Sequence, residues 1–179
     1  VGANGPQMLA MAARCADGIL FSDLTGPLLS KAIAEVRAAR TDQGLLPTEF
    51  SNFVAWHVYE DEREARAEAR RWLAYRGLNR RWVCTTFMSD REFDLIEARM
   101  PALYRMAQGG PAPEGIPDSL FDLLVDKLSL TAHPRHLDGV LQHLGEMRQA
   151  GLTEIALRLY QQPERSIELI GREILPELR

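Results

Sequence analysis

The chain has 179 residues, 46% of them apolar and 26% charged, with a formal net charge of −4. That balance is ordinary for one globular domain and excludes a basic nucleic-acid-binding surface, since no block of Lys and Arg stands out. No apolar run approaches the roughly 20 residues that span a bilayer, no signal-peptide pattern opens the chain, and the two cysteines form no disulfide framework; we read a cytoplasmic, bacterial-type protein with no membrane or nucleic-acid partner.

The elements follow in chain order. Residues 1–4 (VGAN) end at Gly5-Pro6, and Pro6 suits the first turn of a helix. Gln7 to Ala16 carries Met8, Leu9, Met11, Ala12 and Cys15 at helical spacing, and Asp17-Gly18 stops it. Ile19-Leu20-Phe21 reads as a short buried strand closed by Ser22-Asp23. Pro27 to Arg40 reads as an amphipathic helix and 41–51 as a loop. Phe53 to Tyr59 (FVAWHVY) is the clearest strand, aromatic and β-branched with polar flanks. Glu60 to Tyr75 reads as a charged helix whose solvated face pairs residues such as Glu62 and Arg66 at i,i+4. Residues 79–130 are helical pieces broken by GGPAPEGIP. A helix starting at His133-Pro134 ends at Gly151, residues 155–160 form a strand, and Pro163 opens the last helix. Strands alternating with helices predict an α/β fold with parallel strands. A parallel sheet buries both faces, and this chain supplies an obvious cover for only one.

Three blocks carry a resemblance. VGANGPQMLAMAARCADGILFSD, FVAWHVYEDEREARAEAR and AHPRHLDGVLQHLGEMRQAGLTEIALRLYQQPERSIELIGREILPELR resemble, in order, segments of the luciferase-like monooxygenase superfamily. That superfamily includes FMN-dependent monooxygenases and coenzyme F420-dependent reductases and dehydrogenases. The resemblance implies the C-terminal half of a (β/α)8 barrel, with residues 1–4, 19–23, 53–59 and 155–160 as strands five to eight. Residues 1–179 are then a single partial-barrel domain with a helical insertion at 79–130. It implies a flavin- or deazaflavin-dependent oxidoreductase acting on a small-molecule substrate, with coenzyme F420 favoured and FMN the alternative. A non-catalytic half-barrel that pairs with a missing N-terminal half, or with a second copy, is the rival expectation.

In such barrels function gathers at the C-terminal strand ends. Gly2, Ala3, Asn4, Gly5, Pro6 and Gln7 form a glycine-containing turn before a helix N-terminus, which suits an anion; the resemblance implies that this turn holds the cofactor phosphate. Ser22 and Asp23 are expected at the mouth. The loop after them, Leu24-Thr25-Gly26, offers no base for a sugar phosphate. His57 is a candidate proton donor pointing inward, with Trp56 pointing outward to helices; core packing is the alternative for both. Arg158 and Tyr160 end the last strand and are expected at the mouth with Ser22 and Asp23; a guanidinium inside a strand needs a carboxylate or phosphate partner, so Arg158 is expected to meet the cofactor or substrate, with a nearby Glu or Asp as the alternative partner. No metal site is read, because His133, His136 and His143 have no carboxylate or Cys at ligand spacing.

Overall fold

The structure, a computed structural model, describes residues 1–178. Helix α1 (Pro6–Cys15) leads to β1 (Gly18–Ser22), α2 (Gly26–Asp42) and β2 (Glu49–Val58). Helix α3 (Glu62–Trp72) opens a helical segment of two short turns (Leu73–Tyr75, Gly77–Asn79), α4 (Arg81–Cys84), α5 (Asp90–Glu97), α6 (Met100–Ala107) and α7 (Asp118–Leu128). Strand β3 (Ser129–Ala132), α8 (Asp138–Gln149), β4 (Glu154–Leu159) and α9 (Pro163–Leu169) complete the chain, α9 running into a π-helical turn at Ile170–Ile174.

All strand pairs are parallel and β2 is the hub. Residues 51–53 of β2 pair with both β1 and β4, and Ala55 and Trp56 pair with both β3 and β4. Strand β4 therefore takes one edge of β2, and β1 and β3 follow one another along the other edge. Ahead of β1, the Leu20 amide donates to the Val1 carbonyl (2.9 Å) and the Ala3 amide to the Leu20 carbonyl (3.0 Å). The rows Val1–Ala3, β1, β2 and β4 thus stand side by side in chain order, in an α/β fold with a parallel sheet.

Alternation along β2 sorts its side chains by face. Phe50, Val54, Trp56 and Val58 join Ile19 and Phe21 of β1 in a core with Leu9 and Ala12 of α1, Leu29, Ile33 and Val36 of α2, and Val140, Leu144 and Met147 of α8. Trp56 therefore faces the helices, as its place in the alternation required. Arg40 of α2 is buried here and closes the end of α1, donating to the Ala13 and Ala16 carbonyls at 3.0 and 2.9 Å. The opposite face presents Ser51, Phe53, Ala55 and His57 of β2 and Tyr59 just beyond its end, with Leu20 of β1 exposed on the same face.

The helical segment holds a second core. Ala69, Leu73, Leu78, Phe93, Ile96, Leu103, Phe121 and Leu124 pack together, apart from the sheet core. Ser89 caps α5 in a reciprocal arrangement with Glu92. Across α3 and α7, Arg66 pairs with Asp122 (3.0 Å) and Asp126 (2.8 Å), and Arg70 with Asp118 (2.9 Å) and Asp122 (2.8 Å).

Four sequence readings need correction. The segment 41–51 is not all loop: Glu49–Asn52 begin β2 because β1 pairs with them. Ser129 and Leu130, expected at the end of the helical insertion 79–130, instead begin strand β3. The segment starting at His133 is a turn, in which the Arg135 amide donates to His133 Nδ1 (3.0 Å), and α8 begins only at Asp138. Arg66 faces α7 rather than Glu62, so part of the charged face of α3 is an interhelix contact.

Candidate functional site

The first strand end is the Gly5-Pro6 turn. Gly5 is the N-cap of α1 with extended backbone, Pro6 follows at N1, and no side chain caps the helix and no acid occupies its first turn. The amides of Gly5, Gln7 and Met8 make no hydrogen bond among the described residues. A Cβ at Gly2 or Gly5 would meet nothing within 4 Å, so the space before the helix is open. These are the unspent donors and the positive helix end that an anion requires. Two expected members are already occupied. The Ala3 amide is bonded to Leu20, and Asn4 Oδ1 accepts the Ser22 amide at 2.9 Å. Asn4 ties the turn to the end of β1 instead of leaving its oxygen for a ligand.

The second strand end is an ion cluster. Asp23 adopts a left-handed backbone (φ 55°), tolerated by Asp, and its amide donates to the Phe53 carbonyl (3.1 Å). Its carboxylate accepts the Ser22 hydroxyl at 2.9 Å and lies 3.4 Å from both Arg76 Nη1 and Arg80 Nη2. Arg80 also donates to the Ser22 carbonyl (2.7 Å), and the Arg76 guanidinium lies 5.4 Å from the centre of the Phe53 ring. Burial pushes the Asp23 pKa up despite both arginines, whose charges oppose it. Asp23 is thus a buried clamp on the helical segment. The loop Leu24-Thr25-Gly26 carries no base; the bases that meet Asp23 arrive from 53 and 57 residues away.

The third strand end holds His57, which is fully buried. Its Nδ1 lies 3.0 Å from Glu68 Oε2 on α3, and the Tyr59 hydroxyl donates to the same oxygen. Tyr160 stacks on its imidazole with ring centres 4.5 Å apart. Burial lowers the His57 pKa and Glu68 works against that; the neutral ring therefore carries its proton on Nδ1, and Nε2 is a buried lone pair without a partner. This geometry makes Nε2 an acceptor at neutral pH. Glu68 is a site residue that the sequence did not single out; a lone Glu on a charged helix carries no signal.

The fourth strand end joins Arg158 and Tyr160 to an aromatic row. Tyr160 lies 5.2 Å from Trp72, Trp72 5.8 Å from Tyr75, and Tyr75 5.4 Å from Tyr104, centre to centre. Arg158 is exposed, stands 5.0 Å from the Tyr160 ring centre and 5.9 Å from that of Trp72, and has no carboxylate partner among the described residues. Of the insertion aromatics, Trp82 and Tyr104 are exposed and Phe93 is core.

No described helix is long and apolar enough to cross a membrane. A curated relative, 5,10-methylenetetrahydromethanopterin reductase of Archaeoglobus fulgidus, is 25% identical over 185 aligned positions, covering 100% of this chain and 54% of the relative. The solved coenzyme F420-dependent tetrahydromethanopterin reductase of Methanopyrus kandleri superposes with a TM-score of 0.70 at 20% identity, covering 99% of this chain and 50% of that one. A solved F420-dependent secondary alcohol dehydrogenase, bound to an F420–acetone adduct, gives 0.67 at 14% identity, covering 99% and 48%. The chain spans about half the length of these relatives. The family model described as luciferase-like monooxygenase matches residues 1–153, and the chain belongs to that family.

Proposed function

We propose that the chain forms strands five to eight of a (β/α)8 barrel in a flavin- or deazaflavin-dependent oxidoreductase, and that its cofactor is coenzyme F420. On this reading the row Val1–Ala3, β1, β2 and β4 are the four strands, and the face bearing Leu20, Phe53 and Arg158 is the barrel interior. The observation that carries the reading is the α1 N-terminus: Gly5, Gln7 and Met8 hold their amides unspent at a strand end, before open space. The solved F420-dependent reductase and alcohol dehydrogenase, and the VGANGPQML and ADGILFSD blocks, support F420 over FMN.

The chemistry such a cofactor supplies is hydride transfer, with oxygen activation added where it is FMN. This chain's residues do the rest. The Gly5, Gln7 and Met8 amides hold a tail phosphate, with Gly2 and Gly5 keeping the approach clear. Asn4 and Ser22 fix that turn to β1. Asp23, through Arg76 and Arg80, fixes the helical segment over the strand ends. The stack of His57, Tyr160 and Trp72 excludes water on that side, while Arg158 faces the substrate.

Titrating the purified protein with F420 and with FMN, followed by cofactor absorbance and fluorescence, tests the reading. We expect F420 to bind more tightly than FMN. Gly5→Asp supplies the sharper arm. Asp is a good N-cap at this backbone angle and has room, so the melting temperature holds or rises, while the added charge weakens F420 binding by about tenfold or more. Equal binding in the wild type and Gly5→Asp contradicts the phosphate assignment, and binding of neither cofactor contradicts the function.

A further inference from the structure

We propose that Arg158 anchors the carboxylate of a planar, aromatic acid substrate, whose ring rests on the Trp72–Tyr75–Tyr104 row. The substrate class rests on reading this face as the mouth of an oxidoreductase.

Arg158 lies within β4 between Leu157 and Leu159, which pack into the sheet core. On its own face Ala55 is directly across in register, Ala156 lies two residues before it and Tyr160 two residues after it. The guanidinium side chain is therefore exposed beside these alanines, with the Tyr160 and Trp72 rings as its neighbours.

The two buried carboxylates of this face are already engaged. Asp23 is held by Arg76 and Arg80, and Glu68 by His57 and Tyr59. Three guanidinium groups therefore meet two carboxylates, and the uncompensated positive charge is Arg158. Its ring contacts use none of its five N–H donors, and it makes no hydrogen bond among the described residues. A planar fork with unspent donors matches a carboxylate in two-point geometry.

Neighbouring groups are also unspent. The Tyr160 hydroxyl, Arg76 Nε, Ser129 Oγ and His57 Nε2 are all buried without partners. Buried polar atoms in folded proteins are nearly always satisfied, and orphans gathered on one face point to a polar ligand there. The aromatic row adds the second half of the recognition. Tyr75 and Tyr104 are exposed with ring edges in contact, a surface that suits a flat ring.

Benzoate, benzamide and acetate serve as probes, titrated into the full protein and followed by ligand-observed NMR. Benzoate and benzamide share a ring and differ in charge; benzoate and acetate share a charge and differ in the ring. The expected result is about tenfold tighter binding of benzoate than of either comparator. Arg158→Gln removes the preference over benzamide, and Tyr75→Ala reduces the preference over acetate, both with unchanged circular-dichroism melts. Equal affinity for benzoate and benzamide overturns the proposal, as does a preference that survives Arg158→Gln. The same variants are titrated with F420. If Arg158→Gln weakens F420 and leaves benzoate selectivity intact, the guanidinium serves the cofactor and the proposal fails. If neither cofactor binds but the benzoate preference depends on Arg158, the cofactor reading fails and the anion anchor stands.

Discussion

Asp23 and Arg76 meet at 3.4 Å with side chains only 1% and 2% exposed, joining the end of β1 to the helical segment that follows α3. A buried pair contributes little net stability when compared with an apolar replacement, yet breaking it strands a charge. Asp23→Ala should therefore cost about 3–5 kcal/mol, with further strain because Ala tolerates the left-handed backbone poorly. Asp23→Asn keeps the backbone tolerance and an acceptor, so its cost should be clearly smaller. Urea melts of both variants check the order; equal costs would show that the pair does not hold the segment.

Glu68 has two buried donors on one oxygen. Removing it in Glu68→Ala leaves His57 Nδ1–H and the Tyr59 hydroxyl unsatisfied, each at a cost of about 1–3 kcal/mol, whereas Glu68→Gln retains an acceptor and loses less. Nitrogen NMR of the His57 ring should report the proton on Nδ1 in the wild type and a mixture of tautomers in Glu68→Ala.

Acid should weaken the fold through the buried His57 and the half-buried His143. Burial lowers the pKa of His57 and His143 below the ordinary value of 6.5. A group depressed in the folded state gives stability that is present above its unfolded pKa and is lost as pH falls through the folded one. The melting temperature should therefore begin to fall below about pH 6.5, and less steeply in His57→Gln and in His143→Gln than in the wild type. Parallel profiles in all three would remove these residues from the account.

The two cores should respond separately. Ile96 is fully buried among α3–α7, away from the sheet core. Ile96→Ala should cost about 2–5 kcal/mol, and hydrogen exchange should accelerate at 90–107 well before 50–58. Uniform acceleration would mean that the helical segment and the sheet open as one unit.

Strand positions were legible wherever an apolar alternation ran long enough, as in FVAWHVY, and the Gly-Pro turn announced α1. Other features were hidden for physical reasons. Strand β3 is four residues long and directly follows α7, so no turn residue marks the change. Glu49 to Asn52 look like loop because polar residues there are tolerated by pairing with β1. Asn52 is a buried residue whose carboxamide donates to the Leu24 carbonyl (3.1 Å), a contact that exists only once the β1 turn folds over it. The clamp on Asp23 and the support behind His57 were invisible for the same reason. Their partners come from α3 and the turns after it, and the spacing along the chain carries no trace of the meeting.

The central claim is that the start of α1 receives a phosphate, and backbone amide NMR during an F420 titration tests it most directly. The account predicts large shifts at Gly5, Gln7 and Met8, with the Ala3 amide, already bonded to Leu20, moving little. Saturating F420 with those three amides unmoved, or with the largest shifts elsewhere on the sheet, would contradict it.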